Sequence, residues 1–234
     1  YNFQIERFDK LFSQSNPDDL FYLKKDYPFL FPSQYNDQVW LNRLNDTIQK
    51  EIYREINIVF SNLDSYKNDL NNFFKNFISY YPKYKLPRII TLNSDIQYQN
   101  RVILTDSLLL IGLDNYLGSD HFFYSSMPVY IRENLDPSMI ISDIAEEYAH
   151  YVIPKNNYYT FLDKIIFYGK LLYFKDIMLP FEEDKNKIGY SNSNIDWAKK
   201  NEYYVWTYFV EKELIFSSEN ELTNRFINNA PFSK

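Results

Sequence analysis

The chain has no cysteine, so it can build no disulfide framework, no zinc-thiolate site and no cysteine nucleophile. Any metal would have to rest on His, Asp and Glu. Histidine itself is scarce, being present only as His121 and His150. Glycine is nearly as scarce, with 4 in 234 residues, and neither a phosphate-cradling Gly-rich loop nor a G-x-S-x-G nucleophile elbow is present. No apolar run reaches the roughly 18 residues of a membrane span. Nor is there an excess of positive charge: the net charge is -6 and the lysines are scattered, so no nucleic-acid partner is expected. Repeats, low-complexity tracts and Gly/Ser linkers are also missing, and a single domain over 1–234 is expected.

What is present is apolar and aromatic. Hydrophobic residues make up 45% of the chain and aromatics 20%, mostly 23 Tyr and 20 Phe, which suffices for a buried core. The first residue is Tyr1 and not Met, so a trimmed or processed form is expected, with its targeting segment upstream.

Residues 1–37 hold Pro17, Pro28 and Pro32 among aromatics, which predicts an irregular segment wrapped on a helical body. From 38 to 63, Trp40, Leu41, Leu44, Ile48, Ile52, Ile56, Val59 and Phe60 recur every three or four positions and predict an amphipathic helix. A second helix runs through Leu70, Phe73, Phe74 and Phe77 and stops before Pro82. The period then changes: "RIITLN" at 88–93, "RVILTD" at 101–106 and "SLLLIGLD" after it predict short strands within 88–114, with a tight turn at Asp106 and Ser107. Gly112, Asp114 and Gly118 mark a structural loop. Helices return over 137–230: one at 161–174, a polar loop at 179–194, and a helix from Trp197 to about Phe216 whose "YYVWTYFV" predicts the buried centre. The fold class is therefore α+β, mainly helical, with a small sheet of two to four strands.

The stretch "SDIAEEYAHYV" carries the candidate chemistry. On a helix at 100° per residue, Ile141, Ile144, Ala145, Tyr148, Ala149 and Val152 share one face. Asp143, Glu146, Glu147 and His150 form a polar cluster opposite, in which the carboxylates should raise the His150 pKa. Zinc peptidases carry His-Glu-x-x-His on a helix, two imidazoles as ligands and the glutamate as general base. This chain reads Glu146-Glu147-Tyr148-Ala149-His150: the base position and second ligand are kept, and a carboxylate stands at the first ligand. Glu202 or His121 could supply a third ligand. The plainer reading is a solvated stripe, with His121 a surface or capping residue.

Several strings in order, "YNDQVW", "IGLDNYLG", "MPVYIRENLDPSMIISDIA", "YGKLLYF", "IGYSNSNIDWAKKNE" and "RFINNAPFSK", resemble the GldB family of gliding-motility lipoproteins of the Bacteroidota. The resemblance runs through essentially the whole chain. It implies a cell-envelope protein, lipid-anchored through a cysteine upstream of Tyr1, on the periplasmic or cell-surface side. It also implies a role in gliding and in the linked type IX secretion, with other envelope proteins of those machineries as partners. The family is distantly similar to zincin-like peptidases, which implies a degenerate metallopeptidase scaffold. On that correspondence Glu146 stands for the first ligand, Glu147 for the base and His150 for the second ligand.

The expected function is a non-catalytic envelope component that works through protein contacts, without a cofactor. A zinc-dependent metallopeptidase using Glu146, Glu147, His150 and Glu202 is the alternative. A glycan-binding module using Trp40, Trp197 or Trp206 is the third reading.

Overall fold

The N-terminal segment expected as an irregular wrap instead carries regular structure within the residues that the computed structural model describes, 3–155 and 158–227. It holds a strand, β1 (Ile5–Arg7), and two helices, α1 (Phe8–Gln14) and α2 (Leu20–Asp26). Pro17 and Pro28 do not break structure here. Each opens a short 3-10 turn, where a missing N–H costs nothing and φ is already set. Asn16 N donates to Asp19 Oδ2 at 2.7 Å to cap the first of them. Tyr1 and Asn2, which carry the expectation of upstream processing, lie outside the described residues, as do 228–234 of the "RFINNAPFSK" string.

The long helix expected over 38–63 is two, α3 (Asp37–Asn45) and α4 (Thr47–Val59). Asp46 separates them in an extended conformation and accepts from Gln49 N at 2.9 Å, an N-cap in the middle of an unbroken apolar period. The next helix, α5 (Asp64–Tyr80), ends two residues before Pro82, as expected.

Three strands follow: β2 (Arg88–Leu92), β3 (Val102–Leu104) and β4 (Leu108–Gly112). The sheet order is β1-β2-β4-β3, with β1, β2 and β4 parallel and β3 antiparallel on β4. The register pairs Ile5 with Ile89 and Arg88 with Leu108. Successive residues Ile89 and Ile90 are both fully buried, so β2 is covered on both faces, as parallel strands generally are. Asp106 and Ser107 make the tight turn into β4, closed by Thr105 N donating to Leu108 O at 2.8 Å.

By its internal contacts the chain divides into two compact units. The first, Tyr1–Asn68 with Tyr84–Leu117, contains the sheet. The second is Asp69–Lys83 with Gly118–Lys234. It takes most of α5, then α6 (Val129–Arg132), α7 (Ile140–Val152), α8 (Phe161–Met178), α9 (Asp184–Ile188), α10 (Asn192–Glu211) and α11 (Glu221–Phe226). Its core is aromatic: Tyr148 is fully buried, with Phe73, Phe77 and Phe74 edge-on at 5.0, 4.8 and 5.9 Å. A second cluster joins Phe161, Phe209 and Leu222.

Two expectations in this unit are corrected. The 179–194 segment is not only a polar loop, because α9 lies inside it and closes on Gly189 at φ 74°. The helix expected at the buried centre, α10, is mostly exposed: of its residues Phe209 is buried, while Trp197 is 61% and Tyr203 76% exposed. Tyrosine misleads an apolar count because its ring can lie on the surface with its hydroxyl in water.

Candidate functional site

The polar row sits on α7, which the sequence starts cleanly. Asp136 accepts from Ser138 N at 3.0 Å, and Pro137 opens the 3-10 turn that runs into the helix. The expected apolar face is buried through Ile141, Ile144, Ala145, Tyr148 and Ala149. The opposite row differs from expectation at its first member: Asp143 is buried, not solvated, while Glu146, Glu147 and His150 are half-buried.

Glu146 is engaged from α8. Lys175 Nζ donates to Glu146 Oε2 at 2.6 Å, to the Lys187 carbonyl at 2.9 Å and to Ser142 Oγ at 3.2 Å. Lys175 is only 3% exposed, so these three acceptors supply what water would have given its three N–H groups. Its partners come from two turns of α7 and from the last turn of α9. α9 ends on Gly189, whose φ of 74° favours glycine and at which a Cβ would come within 2.9 Å of Asn134 Oδ1.

His150 lies one turn further along. Its ring is 5.9 Å from that of Phe167, and its Nδ1 is buried with no hydrogen-bond partner among the described residues. The expected rise in its pKa does not occur. Burial lowers it, and the opposing pull of Glu146 is the smaller effect, with Lys155 and Lys175 lowering it further.

The other candidates lie elsewhere. His121 caps the 3-10 turn Phe122–Tyr124, its Nδ1 accepting from Phe123 N at 3.3 Å while its ring stacks on Phe122 at 4.5 Å. Glu202 is exposed on α10. Among the described residues no three His, Asp or Glu side chains converge so as to hold a metal ion, so neither residue completes a ligand set with Glu146 and His150.

In the first unit the loop marked by Gly112 and Asp114 is an anchor. Asp114 is fully buried and accepts from Ser94 N at 2.9 Å, from Ser94 Oγ and from Ile96 N. Burial still outweighs these donors and raises its pKa. The loop it holds is strained, with Asp95 at φ 60° and Ile96 at φ 57°, the latter a costly place for a β-branched residue. A Cβ on Gly112 would come 2.6 Å from Ser94 Oγ, so the absence of a side chain there is a packing requirement. Gly118, in the second unit, takes φ 111° and donates its N–H to Leu135 O at 3.0 Å.

Sequence reasoning missed Lys175 beside this row and the pairing of Arg43 in the first unit. Lys175 follows directly on the helix expected over 161–174 and looks there like a surface lysine. Arg43 reaches 52 residues along the chain to Asp95, a pairing with no local signal.

Comparison with known protein families gives a match. The family model of the gliding motility protein GldB matches residues 1–234, through both compact units. No curated protein and no solved structure matches the chain. With the model spanning the whole sequence, the chain belongs to the GldB family of gliding-motility lipoproteins.

Proposed function

We propose that the chain is a non-catalytic, lipid-anchored component of the cell envelope on its periplasmic or cell-surface side. It serves gliding and the linked type IX protein secretion by contacts with other envelope proteins of those machineries. Membership of the gliding-motility family supports the process. Among the described residues no helix is long and apolar enough to cross a membrane, which is compatible with attachment by lipid.

The observation that carries the non-catalytic reading is the Lys175–Glu146 pair. A metallopeptidase needs a free ligand at the first position of its helix. Here that position presents a carboxylate already bonded to a buried ammonium. A cation at that carboxylate would have to displace Lys175 and leave its charge buried with fewer partners, a costly exchange. On this reading the expected likeness to zincin-like peptidases keeps only the Glu147 and His150 positions.

The exposed aromatic rings of α10 suit the contact role, since Tyr and Trp contribute large contact area with a polar end. Two measurements test the reading together. Cells whose own copy is replaced by Glu147→Gln should glide as the wild type does, and purified wild-type protein should carry no stoichiometric zinc by elemental analysis. Loss of gliding in the variant, or one zinc per chain, would restore the peptidase alternative.

A further inference from the structure

The first unit holds a cavity of about 220 Å³, lined by Ser13 of α1, Arg43 and Leu44 of α3, and Lys50, Tyr53, Arg54 and Asn57 of α4. Every side chain lining it that is charged at neutral pH is a cation. No carboxylate lines it, but Arg43 is paired with Asp95, and Arg54 with Glu51 and Glu55. The carboxylates that neighbour these cations stand outside the lining.

Asp95 is the first of them. It takes Arg43 Nη1 at 2.7 Å and Nη2 at 2.8 Å, while Gln49 Nε2 donates to the same carboxylate at 2.6 Å. Arg43 Nη2 also donates to Asn93 O at 3.3 Å. The left-handed backbone at Asp95 and Ile96 puts this carboxylate in place, and buried Asp114 keeps the loop there. Strain of this kind persists only where surrounding structure over-determines it, and it concentrates at functional positions. Here its effect is to fix the guanidinium of Arg43 against the cavity.

Leu44 apart, the remaining lining fits the same ligand. Tyr53 is buried and hydrogen-bonded with Arg43 and Asn93, and its pKa is pushed up to about 12, chiefly by burial, so it stays neutral and does not repel an anion. Ser13 and Asn57 are neutral and polar. Lys50 is exposed and makes no ion pair among the described residues. Arg54 pairs with Glu51 at the surface, where such pairs are weak and exchange readily, and with Glu55, whose side chain is 14% exposed. Asn93 and Asp95, which hold Arg43, directly follow the carboxyl end of parallel strand β2.

We infer that this cavity is an anion site that takes one phosphate group, either free or as a phosphomonoester, between Arg43, Lys50 and Arg54. Its volume is below the roughly 300 Å³ at which pockets for drug-sized ligands begin, so it suits a single group and not a whole cofactor. Of the three cations Lys50 alone makes no ion pair among the described residues, so an entering anion must also draw on Arg54 from its carboxylates, and a dianion does so better than the single charge of a carboxylate.

Isothermal titration of the purified chain in low-salt chloride buffer, with inorganic phosphate and with glycerol 3-phosphate as probes, tests the assignment. Saturable binding of one equivalent is expected, weakened about tenfold or more in Lys50→Gln/Arg54→Gln and unchanged in Lys199→Gln on α10. Both altered side chains are exposed, so melting and circular dichroism should show an intact fold in the double variant. Tighter binding of the phosphomonoester places the group on a larger molecule, and equal or weaker binding identifies free phosphate. Absence of saturable binding by either probe in the millimolar range, or equal weakening in Lys199→Gln, would overturn the assignment.

Discussion

Lys175 Nζ lies 2.6 Å from Glu146 Oε2, a pair in which the ammonium is almost wholly enclosed while the carboxylate is 45% exposed. The two ends should therefore respond differently to mutation. Glu146→Gln removes the charge that compensates a buried cation and is expected to cost about 1–2 kcal/mol. Lys175→Met keeps the volume and removes the need for compensation, so a change within about 1 kcal/mol is expected. Urea denaturation of the two variants checks the asymmetry; equal losses would mean that the bond itself, and not the burial of Lys175, sets the cost.

His150 gives the fold a pH dependence with a definite sign. Its folded pKa lies below the ordinary 6.5, so the unfolded chain binds its proton more readily. The neutral imidazole's contribution is fully present above about pH 6.5 and is lost as pH falls through the folded value. Wild-type stability should decline on acidification through that window, and His150→Gln should flatten the decline. Denaturant midpoints measured from pH 7.5 downward decide it: parallel curves for the two proteins would show that His150 does not carry the effect.

Gly112 and Asp114 should prove sensitive for different reasons. Gly112→Ala puts a methyl group against Ser94 Oγ and is expected to cost about 1–3 kcal/mol by overpacking. Asp114→Ala strands the buried N–H groups of Ser94 and Ile96 beside a strained backbone, with a loss of about 3 kcal/mol or more expected. Thermal unfolding of both would check this, and a Gly112→Ala protein as stable as wild type would mean that the 94–96 loop yields easily.

Along α10, burial separates structural from exposed rings. Phe209→Ala should cost about 3–5 kcal/mol because it empties the cluster with Phe161 and Leu222. Trp197→Ala and Tyr203→Ala should stay within about 0.5 kcal/mol. If the proposed contact role is right, these two nevertheless impair gliding in cells, and a combination of unchanged stability with unchanged gliding would remove α10 from that role.

Much of this was legible in the residues wherever a period met a clear stop. The strands of 88–114, the end of α5 before Pro82 and the buried face of α7 follow from alternation, proline and helical spacing. The N-terminal helices were hidden because Pro17 and Pro28 sit at first-turn positions, where proline starts structure as readily as it interrupts it. The split between α3 and α4 was hidden because Asp46 caps a helix inside a continuing apolar period. At the candidate site, spacing placed Glu146, Glu147 and His150 in one row but could not show that Lys175, 29 residues on, takes the first carboxylate. Nor could it show that burial of the imidazole outweighs the pull of Glu146 and lowers the His150 pKa.

The edge pairing of β1 with β2 also bears on how the chain acquires its structure. Arg88 grips Glu6 with a two-pronged fork, Nε at 2.9 Å and Nη2 at 2.8 Å, across 82 residues of chain. Until that distant segment has arrived, the N-terminal strand has no neighbour, and the loop that must close to bring them together is long. Non-local, parallel pairing of this sort slows folding. A ribosome still making the middle of the chain therefore holds an N-terminal strand without its partner, open to holding factors, to proteases and to pairing with the wrong edge.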